Sequence, residues 1–154
     1  MSETPADHPH AFEEPPRWQI PWISRRHVLL YQWTNGEIAG ELGPYPGIVI
    51  HTTGRRTGKE HSICLPAIPY GDDCLVVGSF AGAKGHPAWY LNMQANPEVR
   101  VQAGPRVYRA RATTLTGEER AETWAWLTAE SPWYADYQTR TDREIPLVRL
   151  TEIS

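Results

Sequence analysis

The segment His51-Thr-Thr-Gly-Arg-Arg-Thr-Gly-Lys59 concentrates unusual chemical potential in one short stretch. Its glycines let backbone N–H groups turn toward an anion, while Arg55, Arg56 and Lys59 add cationic donors, two of them forked. Such a loop suits a phosphate or a run of carboxylates. It departs from a P-loop, because three residues rather than four separate Gly54 from Gly58. Glu60 also follows the lysine, where a magnesium-binding hydroxyl is required. Taken alone, the segment reads equally well as an exposed hairpin loop with solvated charges.

Two further segments carry chemistry. Ser79-Phe-Ala-Gly-Ala-Lys-Gly85 leads into His86-Pro-Ala-Trp-Tyr90 and so into a helix N-terminus, whose dipole favours an anion. Ser79 is placed to donate to a ligand carbonyl, and Lys84 to join an anion clamp; in isolation the same stretch is an ordinary strand-to-helix connector. Of fifteen basic residues thirteen are arginine, and the only lysines, Lys59 and Lys84, both sit beside glycines. In the third segment, from Ser131 to Arg143, Tyr134 and Tyr137 are spaced to share one face of a helical turn. Phenols on one face can stack on a flat ligand and donate a proton to it, or simply cap a core. The neighbouring Arg140, Asp142, Arg143 and Glu144 read as a structural ion-pair network.

Other chemistries find no support. The six histidines, at 8, 10, 27, 51, 61 and 86, show no metal-ligand spacing, and Cys64 and Cys74 are too few for a four-cysteine site. No metal is expected. No G-x-S-x-G elbow supports a serine hydrolase.

The elements that must position these groups follow from periodicity and breakers. A helix is expected over 21–34, ended by Asn35-Gly36. Strands are expected over Ile48–Ile50, Ser62–Ile68 and Cys74–Val77, the last two linked through residues 69–73. A helix follows Pro87 and stops at Asn96-Pro97. A strand pair, Val99–Gln102 and Val107–Ala112, turns at Gly104-Pro105. Thr116-Gly-Glu-Glu119 is a capping-box pattern opening another helix. A helical turn or loop spans Trp133–Arg143, and Ile145–Leu150 is the last strand. Short links favour antiparallel pairing, so the expected class is α+β, with mostly antiparallel strands closed into a small barrel and flanking helices.

The chain has 154 residues, enough for one core and too few for two ordinary domains. Residues 1–16 hold four acids, four prolines and no Lys or Arg, which predicts a disordered acidic tail. The formal charge of −3 therefore becomes +1 for the remainder, which argues against nucleic acid as a partner. No apolar run reaches the ~18–20 residues of a membrane span, and no signal peptide is readable. A cytoplasmic setting is the expectation. Residues 17–36 form the N-terminal helix and 44–154 the main domain in this reading. Trp18, Trp22 and Trp33 with Arg17, Arg25 and Arg26 would let that helix lie at the inner membrane face, or pack as a lid over the barrel.

In combination the motifs resemble a known family, the deazaflavin (F420)-dependent nitroreductases, also called F420H2-dependent quinone reductases. The resemblance rests on Thr52–Lys59, Gly78–Lys84, His86–Asn92, Ala95–Val101 and Tyr134–Pro146, in that order, and runs from about Ile48 to Leu150. It implies a split β-barrel of the FMN-binding type holding coenzyme F420. It further implies that Arg55, Arg56, Thr57, Lys59 and Lys84 grip the phosphate and polyglutamate tail. Ser79, His86, Trp89, Tyr90 and Asn92 would border the deazaflavin. Tyr134, Tyr137 or Ser79 would supply the proton when a quinone, enone or nitroaromatic takes the hydride. Pro66 and Ser131 depart from the nitroreducing branch, which carries aromatics there. The alternatives are a non-catalytic F420 or flavin carrier, and an oxidoreductase using FMN, whose single phosphate needs fewer cations. Oligomeric state stays open.

Overall fold

The computed structural model describes Val28, Gln32, residues 41–42 and residues 45–153. The acidic tail and most of the N-terminal helix lie outside the described residues. Val28 and Gln32 are helical, and Val28 is buried against Val49, with Cys64 alongside.

The strands are β1 (Glu41–Leu42), β2 (Tyr45–Thr53), β3 (Glu60–Pro66), β4 (Ile68–Tyr70), β5 (Asp73–Val77), β6 (Glu98–Ala103), β7 (Arg106–Thr114) and β8 (Leu147–Glu152). They join in the order β1-β2-β6-β7-β8-β5-β4, with β3 also paired to β2. Every pairing is antiparallel. The helices are α1 (Ala88–Ala95), α2 (Gly117–Glu130) and α3 (Trp133–Thr139), with a short 3-10 turn at Phe80–Gly82. The α+β class and antiparallel, barrel-like curl agree with expectation.

Alternation along the strands sorts side chains into separate cores. Ile48 and Ile50 of β2, Val99 and Val101 of β6, and Val148 and Leu150 of β8 line one core, against which α1 lays Trp89, Tyr90 and Met93. Leu75 and Val77 of β5 and Leu147 of β8 point the other way. They meet Leu127 of α2 and Trp133, Tyr134 and Tyr137 of α3 in a second core. Burial on both faces explains why β2 is apolar through Gly47–Val49 and Ile50 rather than alternating.

Three local expectations are corrected. The single strand expected over 62–68 is two: the chain breaks at Ala67, whose N–H donates to Pro46 O at 2.8 Å, leaving β3 on β2 and β4 on β5. Pro69, read as part of a link, lies within β4. That strand ends the sheet order, so the proline's missing N–H leaves no ladder bond unmade on its open side. Thr116 does cap α2 by position, but its side chain makes no capping bond, because Gly117 at φ 62° displaces the first turn from helical geometry.

Candidate functional site

The Gly54–Lys59 loop is the turn of the β2–β3 hairpin. Gly54 N–H donates to Lys59 O at 2.7 Å, and Gly58, at φ 70°, returns a bond to Gly54 O at 2.9 Å. A side chain from a distant element orients it. Asn92, buried on α1, accepts at Oδ1 from Arg55 N–H (3.1 Å) and from Arg55 Nη1 (3.2 Å), while its Nδ2 donates to Thr52 Oγ1 at 3.4 Å. One amide therefore ties the loop's backbone and its first arginine to the helix.

The loop forms one wall of a cavity of about 490 Å³, within the ~300–1,000 Å³ range of small-molecule sites. Arg55, Arg56 and Thr57 line one side. Thr52, His61, Ser62 and Ile63 come from the paired strands β2 and β3, and Gly54, Phe80, Pro87, Ala88, Trp89 and Asn92 complete it. Cations thus gather at one part of a pocket whose remaining wall mixes apolar groups (Ile63, Phe80, Pro87, Ala88 and Trp89) with the polar side chains of Thr52, His61, Ser62 and Asn92. His61 lies against the loop: a methyl group on Gly54 would stand 3.0 Å from His61 Nε2 and 3.1 Å from Lys59 O, a tight contact that the imidazole would have to shift to relieve. Phe80 and Ala81 hold left-handed backbone, φ 45° and 51°, beside Gly82 at 79°. Such conformations in residues bearing a β-carbon mark a segment held by its surroundings.

The residues singled out from sequence divide. Arg55, Arg56, Thr57, Trp89 and Asn92 meet at the cavity. Lys59 does not line it; its backbone closes the loop through Gly54 and Thr57. Lys84 borders another surface cleft, with Arg140 and Arg143. Ser79 is absent from the lining, and its carbonyl accepts from Arg143 at 2.8 Å. His86 packs against Tyr90, ring centroids 5.0 Å apart and planes tilted by 57°, and its Nδ1 lies 3.1 Å from Arg143 Nη1. Tyr90 is buried, its hydroxyl meeting Thr114 and Gln94. Tyr134 and Tyr137 do share a face, ring centroids 6.2 Å apart, but that face is buried in the second core. Burial pushes the Tyr134 phenol well above the ordinary range. Ser131 is fully buried, its hydroxyl 2.5 Å from that of Tyr45.

Two residues escaped the sequence reading. His61 carried a usable signal, since it lies directly across the ladder from Thr52, which leads into the loop. Arg143 carried none, because an arginine among acids reads as an ion pair. Its guanidinium instead bonds the carbonyls of Gly78, Ser79 and Ala83. Glu144, from the same supposed network, pairs with Arg120 at 3.4 Å. Among the described residues no cluster of three or more His, Cys, Asp or Glu side chains is arranged to hold a metal.

A curled antiparallel barrel with arginines and aromatic side chains around one cavity defines a split-barrel protein with a pocket of small-molecule size. Residues 22–152 match the F420H(2)-dependent quinone reductase family, and the chain belongs to that family. It is 34% identical over 133 residues to an F420H(2)-dependent quinone reductase of Mycobacterium tuberculosis, covering 84% of this chain and 89% of that protein. A solved F420-H2 dependent reductase, FDR-A, superposes with TM-score 0.61 at 38% identity, over 69% of this chain and 94% of the other. A second solved structure, described as a domain-swapped dimer, gives TM-score 0.63 at 33% identity over 86% of this chain and 98% of its own. The heme storage protein HutZ of Vibrio cholerae shares the fold alone, with TM-score 0.52 at 13% identity.

Proposed function

We propose that the chain is an oxidoreductase that uses reduced coenzyme F420 to reduce a quinone. The observation that carries this reading is the cavity itself, with Arg55 and Arg56 at one wall and Phe80, Pro87 and Trp89 at another. The donor set fits the cofactor. Two guanidiniums and the Thr57 hydroxyl match a phosphate followed by carboxylates, and the aromatic wall matches a planar ring. When bound, reduced F420 supplies a hydride from its deazaflavin ring.

The chain's own residues have the remaining tasks. Asn92 holds Arg55 ready for the anion. The apolar wall orders the acceptor and excludes water, which strengthens every polar contact inside. Quinone reduction by hydride also needs a proton. Of the side chains lining the cavity, His61 carries the imidazole, the side chain most often used for general acid–base work, so it is the donor this geometry offers. Tyr134, Tyr137 and Ser79, nominated from sequence, would need another route to the acceptor.

Purified protein mixed with F420H2 and menadione should bleach the reduced cofactor's absorbance with menadione-dependent turnover. Binding without turnover across quinones, enones and nitroaromatics would favour a carrier. Replacing Arg55 and Arg56 by Ala should weaken binding of the tailed cofactor far more than that of its tail-less form; equal losses would count against the assignment. The familial likeness to a domain-swapped dimer makes a dimer the expected state, readable by light scattering. Contact of the N-terminal helix with membrane is tested by vesicle flotation with and without residues 1–34.

A further inference from the structure

We infer that Arg143 is a positioning residue for the cavity, acting through the 78–86 loop to fix Phe80 in the cavity wall. The loop has little to hold it by itself. Its own backbone contributes Gly82 N–H to Ser79 O at 2.8 Å and Ala83 N–H to Phe80 O at 2.9 Å. Those bonds close a turn whose three central residues, Phe80, Ala81 and Gly82, all take left-handed backbone. Two of them carry a β-carbon, for which that region is unfavourable.

Arg143 supplies most of what the turn lacks, beside one long bond from Arg140 Nη1 to Ala81 O at 3.5 Å. Its Nε donates to Ala83 O at 2.9 Å, its Nη2 to Ser79 O at 2.8 Å, and its Nη1 to Gly78 O at 3.0 Å. Nη1 also lies 3.1 Å from His86 Nδ1, which accepts when that ring is neutral with its proton on Nε2. One planar fork thereby spans the loop from its first residue to its last. The guanidinium is half-buried, so water has limited access to replace it. It is anchored in turn by Gln138, whose Nε2 donates to Arg143 O at 2.7 Å. Lysine carries the charge but a single nitrogen, and no single nitrogen reaches three divergent carbonyls. Phe80 is the loop residue that touches the cavity, so it is the route by which Arg143 influences ligands.

The turnover arm of the test rests on the functional reading above; the exchange arm does not. In the protein without cofactor, Arg143→Lys should speed amide hydrogen exchange across residues 79–86 at least tenfold and leave β6 and β7 unchanged. In turnover, Arg143→Lys should raise the menadione KM or the F420H2 Kd at least fivefold, with a smaller change in kcat. In a Phe80→Ala background the same substitution should change either constant less than twofold. Additive effects in the two backgrounds would overturn the inference, as would exchange that is unchanged or faster everywhere. Should Arg143→Lys fold poorly, His86→Ala removes one of the four contacts and should give a smaller, equally local acceleration; none would overturn the inference. Local acceleration in a protein that does not oxidise F420H2 would sink the functional reading and leave Arg143's hold on the loop intact.

Discussion

Asn92 is the residue on which the cationic rim most depends, because one buried amide oxygen serves both the backbone and the guanidinium of Arg55. Replacing it with Leu leaves those donors without that partner and frees the loop from α1. F420 affinity should fall roughly tenfold, the equivalent of one buried hydrogen bond, with fluorescence titration as the readout. The cysteines illustrate the opposite case, groups made inert by burial. Desolvation pushes the Cys64 thiol up to about 12 and Cys74 to about 11, so neither forms much thiolate at pH 8. Both should react with a disulfide reagent far more slowly in the folded protein than in urea. Burial, then neighbouring Arg100, lowers the pKa of His51, and burial, then Arg143, lowers that of His86. The unfolded chain then binds more protons than the folded one as pH drops through the free histidine value of about 6.5. Stability should be level above that pH and decline below it. A melting series from pH 8 to 5 should show the decline, and His86→Gln should flatten it.

At the scale of elements, the 78–86 turn is the feature most sensitive to small changes. A methyl group on Gly82 would stand 2.6 Å from Tyr137 O and 2.8 Å from Arg140 Cβ, on backbone already at φ 79°. Gly82→Ala should therefore cost about 1–3 kcal/mol in denaturant unfolding and weaken ligand binding, because turn and α3 must separate. Gly85, in the same loop, meets nothing within 4 Å, so Gly85→Ala is the control expected to be near neutral. Element existence was largely legible in the sequence: the hairpin at Gly104-Pro105, the helix between Pro87 and Asn96, and α2 behind Thr116 all stand where breakers and periodicity put them. Less legible were β1 and β4, too short for periodicity to register, and the break at Ala67, which only pairing to different neighbours reveals.

At the scale of the molecule, the separation of two cores has a functional consequence. Leu127 is fully buried in the core of α2 and α3, away from the cavity lining. Leu127→Ala should cost about 2–5 kcal/mol of stability yet leave F420 affinity unchanged below the melting transition. Thermal melts and titration of the same sample check both halves. The same separation decides the fate of the tyrosine pair. Their spacing alone determined that Tyr134 and Tyr137 share a face, because helical geometry is local; it could not say which face of the sheet receives them. By composition and order, the sequence determined an antiparallel α+β fold, a glycine-bent cationic hairpin and the family to which it belongs. Only the folded structure decided that Arg55 and Arg56 share a cavity with His61 and Phe80, that Lys59 and Lys84 do not, and that Arg143 bonds carbonyls rather than acids. Those outcomes depend on contacts between residues dozens of positions apart, set by sheet curl and by which face each strand turns inward, and no local pattern encodes them.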